Sequence, residues 1–235
     1  MDNLNYGIIG NCRSAALISE TGSLEWCCLP QFDSTSVFAK LLDDKKGGSF
    51  EIKVKYYYEI HQEYHRNTAI LVTRYSDGEN TFEVHDFMPR YYKLTGKYNA
   101  PPEIVRYIKH VSGAPVFSVL YDPRLEYAMG QTTTYAKKDF VVSLTNKKKF
   151  DTLFMYTSFP KQKILDGEEI VLKEDGYFSI CYNEKILKPS TEKMSLELER
   201  TKIYWLDWVD RTPTYKQFND EIMRSAITLK MLTYD

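Results

Sequence analysis

Between residues 50 and 182 the chain alternates apolar and polar side chains with period two and is cut every few residues by turn formers. Phe50, Ile52, Val54, Tyr56, Tyr58 and Ile60 alternate with polar neighbours, and Ala69, Leu71, Thr73 and Tyr75 repeat the pattern. Successive side chains of a strand point to opposite faces, so this period predicts strands with one buried face. Ser76-Asp77-Gly78-Glu79-Asn80 then predicts a hairpin returning through Phe82 and Val84, because glycine tolerates the positive φ of tight turns. Further strands are predicted at 104–111, 116–121, 140–144, 153–157, 169–172 and 177–182. They are separated by Ser112-Gly113, Asn146-Lys147, Asp166-Gly167 and Asp175-Gly176. Many short strands with regular punctuation imply a sandwich or barrel. The 14% aromatic content, with 19 Tyr and 12 Phe, suits such pleated, half-buried surfaces. One short helix is expected at 37–42, capped by Ser34 or Ser36 and closed by Gly47-Gly48.

After Pro189 the period changes. Ser190 or Thr191 can cap a helix in which Met194, Leu198, Trp205 and Val209 recur at helical spacing, stopped by Asp210-Arg211-Thr212-Pro213. A second helix follows with Phe218, Ile222, Ala226 and Leu229 as its expected apolar stripe, running into Leu232-Thr233-Tyr234-Asp235 without a stop signal. Two apolar stripes appended to a sheet domain need a further surface to cover them. The chain therefore reads as a truncated piece, with self-association through the exposed last helix expected.

The 31 basic and 32 acidic side chains give a net charge of -1, which excludes a nucleic acid or an anionic membrane as partner, since both demand a concentrated positive field. No stretch approaches the roughly 20 apolar residues of a membrane span, and Met1-Asp2-Asn3-Leu4-Asn5-Tyr6 lacks the layout of a secretory signal. Cys12, Cys27, Cys28 and Cys181 include no Cys-x-x-Cys pair and read as buried thiols of a reducing cytoplasm.

The densest motif is Gly10-Asn11-Cys12-Arg13-Ser14-Ala15-Ala16-Leu17-Ile18 followed by Gly22-Ser23-Leu24-Glu25-Trp26-Cys27-Cys28-Leu29-Pro30-Gln31-Phe32-Asp33-Ser34. It reads as two strands around a turn at 19–23 and a loop that begins at Pro30. These residues resemble the N-terminal domain of glycoside hydrolase family 15, the glucoamylase-like and trehalase-like enzymes. Gln31 departs from the arginine usual there. The resemblance continues through His85-Asp86-Phe87-Met88-Pro89-Arg90, Ile104-Val105-Arg106, Asp122-Pro123-Arg124-Leu125-Glu126-Tyr127, Tyr204-Trp205-Leu206-Asp207-Trp208 and Arg224-Ser225-Ala226-Ile227-Thr228-Leu229-Lys230.

The resemblance implies a mainly β fold. A large antiparallel β-supersandwich would occupy 1–188, a helical linker 189–212, and the start of a missing (α/α)6 catalytic barrel 213–235. It implies inverting hydrolysis of α-glucosidic bonds by two glutamates of that barrel, held about 6.5–9.5 Å apart so that a water fits between them and the sugar. This segment would then contain no catalytic residue, metal or cofactor. Its partner would be the barrel of the same parent chain, with an oligo- or disaccharide nearby. Asn11, Arg13, Trp26, Gln31, Phe32 and Asp33 are the expected barrel-facing or substrate-entrance residues.

Other readings of the residues compete. Exposed aromatic side chains would also suit an independent carbohydrate-binding module. A mutarotase-like sugar enzyme would nominate His85 and Glu126. Glu83, Asp86, Glu103 and Glu126 sit in strand-like segments, where chance pairs of carboxylates are expected among 32 acids. His61 and His65 fall on one face and are expected to meet solvent, and Lys147-Lys148-Lys149 to form a solvated turn. Trp205 and Trp208 are expected to anchor their helix on the sandwich or on the barrel.

Overall fold

The computed structural model describes residues 5–145 and 151–234. The Met1–Leu4 start, the Asn146 turn with its lysine run, and Asp235 lie outside the described residues. Two antiparallel sheets face each other. The first is ordered Tyr6–Gly10, Ala15–Ser19, Leu24–Cys28, Phe50–Lys53, Val116–Tyr121, Ile170–Val171, with Ser36–Phe38 also paired to Leu24–Cys28. The second is ordered Thr132–Ala136, Val141–Thr145, Thr152–Thr157, Gly176–Tyr182, Glu103–Ser112, Thr81–Phe87, Leu71–Ser76, Glu59–Tyr64. Strand alternation fills the space between them: Ile9, Ile18, Leu24 and Phe50 from one sheet meet Phe82, Val84, Ile104, Ile108 and Phe178 from the other. Interdigitation of two inner faces is the ordinary core of a sandwich.

Inside that core lies an ion pair with no solvent exposure. Arg106 donates from Nε to Asp86 Oδ1 at 2.7 Å and from Nη2 to Oδ2 at 3.2 Å. Its Nη1 donates to the Phe50 carbonyl at 2.8 Å, its Nη2 to the Gly22 carbonyl, and its guanidinium lies 4.8 Å from the Phe50 ring. One arginine of the second sheet thus ties down two segments of the first. A buried pair persists only when its remaining valences are also satisfied, and here they are.

Among the described residues one short α-helix interrupts the strands and two longer ones follow them. Helix α1 is Lys161–Asp166. Helix α2, Thr191–Asp210, starts at Ser190, whose side chain accepts from the Lys193 N–H, as the capping pattern requires. Met194 and Leu198 of α2 pack on the outer face of the second sheet against Phe87, Val105, Tyr107 and Tyr177. Farther along, Tyr204 and Trp205 pack on helix α3, Asn219–Met231. A short hairpin, Tyr91–Tyr92 with Tyr98–Asn99, lies beside α2. No helix among the described residues is long and apolar enough to cross a membrane.

The Asp77-Gly78 hairpin forms where expected, with Gly78 at φ +95°, and most predicted strands match to within a residue or two. Four local expectations are corrected. Residues 37–42 are not helix: Ser36–Phe38 is a fully buried strand, because pairing with Leu24–Cys28 satisfies its backbone better than a two-turn helix would. The alternation from Phe50 to Ile60 breaks after Lys53, leaving Tyr56 on a turn at 98% exposure. Helix α3 buries Met223, Ile227 and Met231, while Phe218 and Leu229 are 72% and 70% exposed. It also closes at Met231, with the Leu232 N–H donating back to the Thr228 and Lys230 carbonyls.

Candidate functional site

The turn at 10–14 is built around one side chain. Asn11 Oδ1 accepts from the backbone N–H groups of Arg13 at 3.2 Å and Ser14 at 3.3 Å, and Asn11 Nδ2 donates to the Pro101 carbonyl at 2.9 Å. The Asn11 carbonyl accepts from Arg90 Nη1 at 2.8 Å. The Arg90 guanidinium is buried, 4.5 Å from the Tyr98 ring and 4.9 Å from the Tyr204 ring. The turn places Cys12 in the left-handed region at φ 65°, aiming its N–H and thiol at the end of α3. The N–H donates to the Met231 carbonyl at 3.1 Å and the thiol to the Lys230 carbonyl at 3.3 Å. Helix ends expose unsatisfied carbonyls, and this turn supplies partners for two of them. Gly10 is required by the same contact: a Cβ there would lie 2.6 Å from Met231 Cγ.

The loop at 30–34 completes the surface. The Phe32 N–H donates to the Arg13 carbonyl at 3.0 Å, and Gln31 Nε2 donates to the Tyr234 hydroxyl at 2.7 Å. Trp26 joins through Tyr127, whose ring lies 6.4 Å away and whose hydroxyl donates to the Ser34 carbonyl at 3.3 Å. The turn with Asn11 and Arg13 and the loop with Gln31, Phe32 and Asp33 therefore adjoin each other and the end of α3, Trp26 reaches the same loop through Tyr127, and the six residues have different roles. Asn11 is fully buried and shapes the turn, Trp26, Gln31 and Phe32 are half-buried, and Arg13 and Asp33 face outward.

Arg90, Arg106 and Arg224 are the residues whose roles the motifs did not disclose. Arg224 Nη1 donates to the Thr68 carbonyl at 2.7 Å and its guanidinium lies 3.9 Å from the Tyr64 ring, fixing α3 to the second sheet. All three sit inside quoted motifs. A string of letters does not reveal that their charges point inward.

The candidate acids Glu83, Asp86, Glu103 and Glu126 are not brought together. Glu83 and Asp86 face opposite sides of one strand, Glu83 to Arg74 at 2.9 Å and His85 at 3.2 Å, Asp86 to Arg106. Glu126 lies in a left-handed turn packed on Ser36–Phe38, away from His85 on the outer sheet face. Glu103 accepts from the Ser179 hydroxyl at 2.6 Å, and burial, with Glu197 nearby, raises its carboxyl to about 7. Glu103 and Glu197 share a cavity of about 170 Å³, below the roughly 300 Å³ at which ligand pockets begin. Burial also raises the thiols of Cys27, Cys28 and Cys181, which removes nucleophilic thiolate at neutral pH. Among the described residues no group of three or more His, Cys, Asp or Glu is arranged to hold a metal ion.

His65 and His85 meet elsewhere. Both line a groove between α2 and the outer face of the second sheet, so His65 is not the solvent-facing companion of His61 that the alternation predicts. It lies just past the end of Glu59–Tyr64, where the period no longer fixes its direction.

The family described as trehalase-like, N-terminal matches residues 5–150. A trehalase of Thermoplasma volcanium is 28% identical over 240 residues, covering 98% of this chain and 37% of the relative. A trehalase of Thermoplasma acidophilum is 27% identical, covering 93% of this chain and 38% of the relative. Trehalase 2 of Sulfolobus acidocaldarius is 33% identical over 139 residues, 59% of this chain and 22% of the relative. The chain thus spans 37–38% of the length of the first two relatives.

Proposed function

This chain belongs to the trehalase-like N-terminal family, and from that premise we propose that it is the non-catalytic β domain of an enzyme that hydrolyses trehalose or a related α-glucoside. Its work is to fold independently, dock a helical catalytic body and complete it. In this reading 1–188 is the sandwich, 189–212 the linker and 213–235 the first part of the catalytic body. Inverting hydrolysis would use carboxylates outside this chain. A cytoplasmic site is supported by four buried thiols, a state favoured in reducing compartments.

One observation carries the proposal: the Asn11–Cys12 turn grips the end of α3 through backbone and thiol hydrogen bonds, a connection the linker alone does not require. Two further features support it. Glu83, Asp86 and Glu103 are bound to arginine, histidine or serine partners, and Arg13 and Asp33 are presented outward beside the gripped helix end. The test places Arg13→Ala and Asp33→Ala in the full-length enzyme. Each is expected to lower trehalose turnover or loosen the two parts in limited proteolysis. Wild-type behaviour in both variants, or release of glucose from trehalose by this chain alone, overturns the proposal.

A further inference from the structure

The groove under α2 has a composition that the scaffold role does not call for. Its main cavity is about 560 Å³, within the range of small-molecule sites, and it continues into a second cavity of about 400 Å³ that shares Tyr107, Asp175 and Ser195. The floor is apolar: Ile70 and Leu198 are buried there, with Val72 beside them. The walls are polar. Glu83 and His85 sit side by side at 3.2 Å, Lys109 Nζ stands 4.0 Å from the same Glu83 carboxylate, and the Tyr107 hydroxyl donates to Asp175 Oδ2 at 2.7 Å.

Ligand chemistry follows from charge and shape. Four carboxylates face three permanent cations and two histidines, and the adjoining cavity adds Glu174 and Glu192, so the groove has no positive surplus to attract a phosphate. Paired acids and bases over an apolar floor match a molecule with many hydroxyls and apolar C–H faces, since each hydroxyl both donates and accepts. Burial and the neighbouring Lys202 ammonium lower the pKa of His65, which keeps its imidazole neutral at pH 7 and able to do both as well.

We propose that this groove between α2 and the outer face of the second sheet binds a neutral di- or oligosaccharide. Glu83 and Asp175 accept from its hydroxyls, the His85 imidazole donates or accepts, Lys109 and Lys202 close the rim, and Ile70, Val72 and Leu198 carry the sugar faces. The inference stands apart from the catalytic-body proposal, because it is read on this chain without any partner. Failure of either leaves the other in place.

The 235-residue chain, isotopically labelled, is titrated with trehalose, maltose and glucose 6-phosphate, each to about 50 mM, and followed by NMR shift changes. Trehalose or maltose is expected to bind saturably with Kd on the order of 1 mM, moving the signals of Ile70, Val72 and Leu198. Glu83→Gln and the rim variant Lys202→Met, each checked for an unchanged fold by circular dichroism, are expected to weaken binding about tenfold, as loss of roughly one hydrogen bond to a charged group should. Absence of saturation overturns the site. So does tighter binding of the phosphate than of the neutral sugars. Shift changes confined to the exposed Tyr56 and Tyr57 turn would also overturn it.

Discussion

Glu103 shows how one residue's surroundings become a property of the whole chain. Its carboxyl is lifted from 4.5 to about 7 by burial, so between those pH values the folded chain holds a proton that the unfolded chain has released. Stability from this group is therefore complete below pH 4.5 and is lost as pH rises through about 7, a change on the order of 3 kcal/mol. His65 acts with the opposite sign: its lowered pKa makes the folded chain resist protonation as pH falls through its ordinary value of 6.5. Subtracting the urea-denaturation profile of Glu103→Gln from that of the wild type isolates the carboxyl. The difference is expected to shrink stability from acid toward neutral pH; a flat difference across that range would show that Glu103 ionises normally. None of this is legible in Glu103 as a letter. The alternation predicted a strand at 104–111, beginning just after Glu103, and only the packing of α2 over that strand's outer face takes water from the Glu103 carboxyl.

At the scale of elements, a helix that the sequence predicts correctly can still be placed wrongly. The 3.6-residue period locates α3, yet its stripe through Phe218, Ile222, Ala226 and Leu229 is not the buried one. Both stripes have similar apolar content, and the choice falls to Met223, Ile227 and Met231 because Arg224 and the 10–14 turn hold the helix in that rotation. Gly10 is the sharpest probe of this contact. In Gly10→Ala the new methyl would meet Met231 Cγ at 2.6 Å and the Ser14 carbonyl oxygen at 2.8 Å, so the helix end must move. Overpacking of this kind typically costs about 1–3 kcal/mol. Amide exchange over Asn219–Met231 is expected to quicken while Glu103–Ser112 keeps its protection; equal protection in both would mean the turn does not hold the helix. The strand Ser36–Phe38 carries the same lesson, since three residues offer no period to read and long-range pairing alone makes them strand.

For the whole molecule, the sheets bury the sides that face each other, while the helices leave large apolar side chains outside. Ile203 remains 63% exposed, and Leu229 and Phe218 are exposed on the other side of α3. Large apolar side chains left in water on two neighbouring helices favour association. Light scattering is expected to show dimers or larger species as concentration rises, and Ile203→Asp with Leu229→Asp is expected to return the chain to monomer. A wild-type chain that stays monomeric throughout would show that this surface is too dispersed to pair. Fold class was readable because it rests on local alternation and turn chemistry, which each short segment states for itself. The expected region around Asn11, Arg13, Trp26, Gln31, Phe32 and Asp33 was readable as a motif but not as an arrangement. The groove under α2 was not readable at all, because its walls come from strands and a helix more than a hundred residues apart.

The sequence by itself determined the antiparallel strands, their turns, the two long helices and the residues that resemble a known family, since period, capping and turn geometry act over a few neighbours. Tertiary structure alone decided which face of α3 is buried, that Arg90 and Arg106 point inward, and that His65, His85 and Lys202 share one cavity. Those outcomes depend on which distant surfaces exclude water from a side chain, and no local pattern specifies them.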